Sequence, residues 1–370
     1  MEIKIKKEIL AEQLGWIQSV VDRKTTMPVL SHILLEAKAN SLMLSATDLQ
    51  VGVTGFCNAE VATPGRMTVP AREFYDIVRE LPSEIIQLKS QENHWVSIEC
   101  GRSKFKLVGK DASEFPAFPK KTGGEECTLD AEAVRNMIDK TAFAISIDET
   151  RFNLNGIYLE APQKEKSRTL TMVATDGHRL SLVERTLKKE AVLPKGVILP
   201  RKGVTELRRL IDSEEGEFNI WVGEKQVMVE KGAKSLFMRL IDGQYPPYQQ
   251  VIPNKQEKVV VVDRDPLVQS LRRVAIMNQD RSQGVKFAIS PGNLEISSSN
   301  PNLGEAKEEL SASYKGNAFS VGFNARYFLE ALEVIEDEKV VLQLKDGVSP
   351  CLIQSELDRG FIHVIMPMRI

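Results

Sequence analysis

The sequence predicts an α+β chain of three tandem domains, each with two helices packed on antiparallel sheets, and three recurring landmarks predict it. Leu42-Met-Leu-Ser-Ala-Thr-Asp48 returns within Thr171-Met-Val-Ala-Thr-Asp176, and again as Leu294-Glu-Ile-Ser-Ser-Ser-Asn300. Val69-Pro70-Ala-Arg72 is echoed by Leu199-Pro200-Arg201-Lys202 and by Phe323-Asn324-Ala-Arg326. Phe115-Pro116-Ala-Phe118 is echoed by Tyr245-Pro246-Pro-Tyr248 and by Met366-Pro367-Met368. Landmarks that keep one order at a spacing of roughly 125 residues are the mark of tandem duplication. The 370 residues then divide into 1–122, 126–253 and 257–370, each inside the usual domain size of ~100 to 150 residues and long enough to bury a core.

In the first domain a short strand at Glu2 to Ile5 precedes Leu10, Leu14, Ile17 and Val21 at helical spacing, and Arg23-Lys24-Thr-Thr-Met-Pro28 ends that helix in a basic loop. Alternating apolar residues predict strands at His32 to Ala37, Ser41 to Ala46 and Val51 to Asn58. A second helix follows Pro70, with Phe74, Ile77, Val78 and Leu81 inward and Arg72, Tyr75 and Arg79 outward. Strands near Glu84 to Leu88, Trp95 to Cys100 and Lys104 to Val108 close the domain. One domain therefore reads as strand, helix and three strands, written twice.

After Gly123-Gly124 the second domain repeats that plan. Asp130 is the expected N-cap of a helix bearing Val134, Met137 and Ile138. Another helix starts at Pro200, with Val204, Leu207 and Ile211 inward. In the third domain Asp265-Pro266 is the expected N-cap and first position of a helix carrying Leu267, Leu271 and Val274, and the last helix runs from about Asn324 with Phe328, Leu332 and Ile335 inward. The opposite faces of these six helices hold Arg72, Arg79, Arg135, Lys140, Arg201, Lys202, Arg208, Arg209, Arg272, Arg273 and Arg326. Basic residues at equivalent positions of repeated helices predict a surface for phosphates.

Overall charge excludes a protein coated in cations, since 49 Lys plus Arg face 51 Asp plus Glu for a net charge of −2. A DNA-facing surface must then be segregated from an acidic exterior. No apolar run approaches the ~20 residues of a membrane span, and no signal-peptide pattern opens the chain, so a soluble cytoplasmic protein is expected. Cys57, Cys100, Cys127 and Cys351 lie far apart without a Cys-x-x-Cys, which suggests neither a zinc site nor a disulfide framework.

Catalytic patterns are missing. His178 stands beside Asp176, yet no Gly-x-Ser-x-Gly or His-Glu-x-x-His occurs. Asp48 and Asp176 fall at strand ends, where a carboxylate satisfies the amides of the following turn. Gly101-Arg-Ser-Lys-Phe-Lys-Leu-Val-Gly109-Lys-Asp111 departs from a P-loop in its interval, and Asp111 occupies the place of the magnesium-binding hydroxyl. A DNA-processing hydrolase using Asp48, Asp176 and His178 is the alternative reading, and a monomeric DNA-binding module is a second. Neither a metal nor a cofactor is expected.

Along its whole length the chain resembles the bacterial sliding clamp family, the beta subunit of DNA polymerase III. The resemblance rests on Arg23-Lys-Thr-Thr-Met-Pro-Val-Leu30, Thr68-Val-Pro-Ala-Arg-Glu-Phe74, Val173-Ala-Thr-Asp-Gly-His-Arg-Leu180, Leu199-Pro-Arg-Lys-Gly203, Asp242-Gly-Gln-Tyr-Pro246, Gly322-Phe-Asn324 and Met366-Pro-Met-Arg-Ile370. It implies three DNA-clamp domains, a head-to-tail homodimer closed into a six-domain ring, and a non-catalytic processivity factor that encircles double-stranded DNA without reading its sequence. DNA contacts would fall on Arg23, Lys24, Arg72, Arg201, Lys202, Phe152 and Asn153. Partners would be the DNA polymerase III alpha subunit, the clamp loader, and other polymerases and repair proteins, each docking a short peptide. That pocket would fall on Arg151, Leu154, Thr175, Gly177, His178, Arg179, Leu180, Pro246 and Val251, joined by Val348, Val364, Met366, Pro367, Met368 and Arg369. Gln249, Gln250 and Pro247 depart from the charged residues common in relatives, which makes the pocket rim less charged. The dimer joint is expected at sheet edges of the first and third domains near Phe105, Ile276 and Met277. Read by its own chemistry, the apolar ending from Val364 to Met368 is a closing strand followed by two flexible thioethers, an adaptable wall for short peptides, with Arg151 and Arg179 able to anchor acidic groups.

Overall fold

A computed structural model describes the chain except for residues 22–25, 162–168, 188–192, 213–214, 254–256, 278–282 and 370. The expected plan holds in all three repeats. Helices α1 (Lys7–Ile17), α2 (Ala71–Glu80), α3 (Ala131–Asp139), α4 (Arg201–Asp212), α5 (Arg264–Val274) and α6 (Ala325–Glu333) each follow a strand and precede three more. The first repeat adds a short strand, Glu60–Thr63, which its brief and mixed pattern did not announce.

Burial follows the helical periodicity. Leu10, Leu14 and Ile17 of α1 are fully buried, as are Leu267, Leu271 and Val274 of α5 and Phe328 and Leu332 of α6. Each such side chain contributes about 1.5 to 3 kcal/mol. Ends of helices were less legible. Helix α5 begins two residues earlier than expected, with Asp263 as N-cap and Pro266 at its third position. Proline is tolerated there because first-turn amides have no intrahelical acceptor, so Pro266 could not mark the start. Val21 and Ile335 lie beyond the ends of their helices, although Ile335 is still buried.

The described chain divides into two compact units, and the middle repeat contributes to both. The first unit comprises Met1–Glu132 and Lys202–Leu240. It holds a five-stranded sheet, ordered Glu60–Thr63, Glu2–Lys6, Ile85–Ser90, Trp95–Cys100, Ser103–Val108. An eight-stranded sheet runs through the same unit, because Lys234–Arg239 of the middle repeat pairs antiparallel with Val51–Asn58 of the first, Leu236 opposite Val53.

The second unit comprises Ala133–Arg201 and Ile241–Ile370, and one twelve-stranded sheet runs through it. Here the middle repeat joins the third through Arg179–Thr186 and Phe361–Ile365, with Leu180 opposite Val364 and Val183 opposite Phe361. An open strand edge exposes unpaired amides and carbonyls, and joining edges across repeats removes two of them at a time.

The landmark that revealed the repeats is structural in all three copies. Asp48 Oδ1 accepts from the amides of Gln50 and Val51, at 2.9 and 2.6 Å. Asp176 Oδ1 accepts from His178 and Arg179, at 2.9 and 3.1 Å. Asn300 Oδ1 accepts from Asn302 at 2.9 Å. A short side chain ending in a carbonyl oxygen reaches amides two or three residues on, which suits Asp or Asn at each position.

Lys140 was expected on an outward helix face. It is buried instead, one residue past α3, bonded through Nζ to Asp358 and 5.6 Å from the centre of the Phe361 ring. Arg185 also reaches Asp358, at 2.6 and 3.0 Å. Periodicity assigned Lys140 to a solvent face; a carboxylate far away in sequence drew it inside.

Candidate functional site: an apolar groove beside a basic cleft

The chain end is fixed against the middle repeat by the pairing of Phe361–Ile365 with Arg179–Thr186. Val364 and Ile365 are buried in the closing strand, as expected, and the Met366 amide donates to the His178 carbonyl at 2.9 Å. Met368 then pairs with Gly322, donating to its carbonyl at 2.9 Å. Met366, Pro367 and Met368 are left half-buried, so each thioether keeps free surface.

Val364 belongs to an apolar cluster with Val173, Leu180, Leu182, Tyr248 and Leu352, on which Tyr158, Tyr245, Val251 and Ile252 pack. Tyr158 and Tyr245 stack at 4.9 Å, and Tyr248 Oη donates to Glu160 at 2.6 Å. Burial pushes the Tyr245 and Tyr248 phenols well above their ordinary value of 10, so they stay neutral. Leu180, Val251 and Val364 are thus brought together as expected, with Pro246 half-buried between two members of the tyrosine set. Tyr158 and Leu352 were not legible, since the strand partners that carry them here are distant in sequence.

Other expected pocket residues hold the adjoining turn. Thr175 Oγ1 donates to the Arg179 carbonyl at 2.6 Å and accepts from the Gly177 amide at 3.1 Å. Gly177 has φ of +86°, and a Cβ there would come 2.6 Å from Arg151 Nη1, so only glycine serves. His178 is exposed, whereas Leu154 is 7% exposed at the end of a short helical turn. Val348 stands 83% exposed on a separate turn whose amides bond Asp346, and Arg369 is exposed at the chain end.

Arg179 departs most from expectation. Its side chain is 4% exposed, bonded by Nε to Asp176 Oδ2 at 3.2 Å, by Nη1 to Glu330, and by Nη2 to the Phe143 carbonyl at 2.5 Å. The guanidinium also lies 4.5 Å from the centre of the Tyr327 ring. Every arm is committed within the protein, whereas Arg151 is half exposed, 3.7 Å from Asp148.

Next to this turn is a cleft of about 440 Å³ lined by Phe143, Ile145, Ile147, Arg151, His178, Arg201, Arg326 and Tyr327, with Asp148, Asp176 and Glu330 among its acids. Arg326 and Tyr327 were not expected in the peptide-binding set. Phe152 is 57% exposed nearby in sequence, and Asn153 Nδ2 donates to the Gln244 carbonyl at 3.2 Å.

The expected DNA contacts differ in their freedom. Arg23 and Lys24 lie outside the described residues. Arg72 projects from α2, 66% exposed, with only a 3.8 Å approach to Asp76. Arg201 is exposed, but Lys202 is drawn back, its Nζ 2.5 Å from the buried Asp48 carboxylate and 2.9 Å from the Val20 carbonyl. At the expected joint, Phe105 is 40% exposed and Ile276 59%, while Met277 is half-buried.

The hydrolase alternative loses its residues to these structural tasks, since Asp48 and Asp176 are both engaged as turn acceptors and ion-pair partners. Among the described residues no group of three or more His, Cys, Asp or Glu is placed to hold a metal ion. No described helix is long and apolar enough to cross a membrane.

Comparison with known proteins agrees along the whole chain. Family models for the N-terminal, central and C-terminal domains of the DNA polymerase III beta subunit match residues 1–119, 128–247 and 249–369. The beta sliding clamps of Caulobacter vibrioides and Pseudomonas putida are 37% and 36% identical to it, each covered in full by the full chain. A crystal structure of the DNA polymerase sliding clamp from Caulobacter crescentus matches with a TM-score of 0.96 at 37% identity, and a sliding clamp from Bartonella birtlesii bound to griselimycin with 0.95 at 35%, both over the whole of either chain. Helices on antiparallel sheets in three repeats accord with these matches, and the chain belongs to the DNA polymerase III beta subunit family, as a non-catalytic DNA sliding clamp.

Proposed function

We propose that two copies of this chain close head to tail around duplex DNA and tether polymerases to it through the groove at the chain end. The observation that carries the ring is a pair of open sheet edges. Among the described residues, Ser103–Val108 pairs only with Trp95–Cys100, and Gly304–Leu310 has a strand on one side alone. Arg102, Lys104 and Lys106 mark the first edge and Glu305 and Glu309 the second, where Glu308 is held by Arg273 and Lys307 by Glu295, so joining them matches backbone groups and brings cations toward carboxylates. Phe105 of one copy and Ile276 and Met277 of the other supply the apolar part of the joint.

The ring units are 1–122, 126–253 and 257–370, divided first at Gly123 and Gly124, whose φ values of +64° and +83° suit a linker. Arg72 and Arg201, with Arg23, Lys24, Phe152 and Asn153, meet DNA phosphates and sugars without reading sequence, so topology rather than affinity retains the duplex. Lys202 supports this surface from behind.

The groove of Leu154, Thr175, Gly177, His178, Leu180, Pro246, Val251, Val364, Met366, Pro367 and Met368 receives short apolar peptides from the polymerase alpha subunit, the clamp loader and repair proteins. Arg151, Val348 and Arg369 form its rim, and Arg179 holds its turn. By likeness to the Bartonella clamp, this chain also binds griselimycin. It works in the cytoplasm, where replication clamps of this family act. Particle imaging with solution mass tests the reading: a six-lobed ring at twice 41.4 kDa is expected, and a single chain at micromolar concentration would overturn it.

A further inference from the structure

We infer that Glu330 of α6 is a positioning element for the peptide groove, acting through Arg179. The inference rests on the groove reading above and adds Glu330 to it.

The geometry runs in one chain of contacts. Leu180 and His178 form part of the proposed groove wall, and between them Arg179, 4% exposed, turns its side chain away from Leu180, its strand neighbour. That buried guanidinium meets Glu330, Asp176 and the Phe143 carbonyl, and it stacks over Tyr327. Asp176 in turn holds the amides of His178 and Arg179, and its own carbonyl accepts from Arg151 Nη1 at 3.2 Å. The last contact, from the Met366 amide to the His178 carbonyl, passes the placement on to the chain end. The turn carrying the groove is therefore fastened to α6 by one arginine.

Glu330 has a second client. Its Oε1 accepts from Arg326 Nε at 2.8 Å, while Oε2 meets Arg179. Removing the carboxylate charge leaves a buried guanidinium with Asp176 as its remaining carboxylate partner, and the Asp176–Leu180 turn then samples other placements. A site that is competent for only a fraction of the time binds more weakly by that fraction. Such a loss appears in the association rate, whereas losing a direct peptide contact appears in the dissociation rate.

The test compares Glu330→Gln with the unaltered dimer, using a polymerase-derived peptide carrying the apolar docking motif and stopped-flow kinetics. Expected is an association rate about tenfold lower, corresponding to a turn correctly placed about one tenth of the time, with an unchanged dissociation rate and stoichiometry. Unchanged kinetics would overturn the inference. So would a faster dissociation alone, which would make Glu330 a contact, or a reduced stoichiometry at unchanged rates, which would reduce its role to fold stability. Met366→Ala with Met368→Ala is run beside it: if that pair binds normally the groove itself is wrongly placed, a failure distinct from that of Glu330.

Discussion

His363 offers a direct test of how the groove is held. Its ring is fully buried in the closing strand, 5.5 Å from Phe143 and 6.5 Å from Phe361, and neither ring nitrogen has a hydrogen-bond partner among the described residues. Burial, and then the nearby Arg179 charge, depress its pKa from the ordinary 6.5 to about 3. With the folded value below the unfolded one, the neutral ring contributes stability that is complete above pH 6.5 and is lost as pH falls toward 3. In that window the unfolded chain takes up a proton that the folded chain refuses, at a cost of about 1.4 kcal/mol per pH unit. Acidifying from pH 7.5 to 5.0 should remove about 2 kcal/mol through this ring, while carboxylates with ordinary or lowered pKa stay charged. Amide hydrogen exchange of Phe361–Ile365 reads the effect as about 30-fold less protection, after correction for the intrinsic rate. His363→Phe keeps an aromatic ring between the two phenylalanines and forfeits no hydrogen bond, so it should abolish this acid dependence; His363→Leu is the smaller companion. Equal loss of protection in wild type and both variants would refute the argument.

Arg201→Ala should lower the salt slope of duplex binding by about 0.9 per lost phosphate contact without creating sequence preference, which a salt titration measures. Lys202→Ala should instead leave the buried Asp48 carboxylate unpaired and cost on the order of 2 kcal/mol in urea unfolding, with little change in that slope. Ile276→Arg at the proposed joint should leave single 41.4 kDa chains in sedimentation at micromolar concentration; an intact dimer would place the joint elsewhere. Met366→Ala with Met368→Ala should weaken polymerase-peptide binding at least about tenfold while the dimer persists, as expected of apolar anchors at the centre of a small interface.

Much of this was legible because it is local. A 3.6-residue period in Leu10, Leu14 and Ile17 or in Leu267, Leu271 and Val274 needs only its own segment to declare a buried face, and Asp48, Asp176 and Asn300 cap turns two residues away. The apolar chain end likewise announced burial, and Val364 and Ile365 are buried. Charged residues behaved differently. Lys140, Arg179 and Lys202 all looked like surface cations, yet each is drawn to a carboxylate that no local pattern could name: Asp358, Glu330 and Asp48.

By itself, then, the sequence determined the three repeats, the six amphipathic helices, the turns between strands and the family to which the chain belongs, since periodicity and short motifs are written in contiguous residues. Only the tertiary structure decided that the middle repeat contributes to two compact units, that Tyr158 and Leu352 join the apolar cluster of Leu180 and Val364, and which cations are drawn to distant carboxylates. Those outcomes depend on strand edges and ion pairs between residues far apart in sequence, such as Lys140 and Asp358, 218 positions apart, and a long flexible side chain takes whichever partner the folded backbone brings within reach.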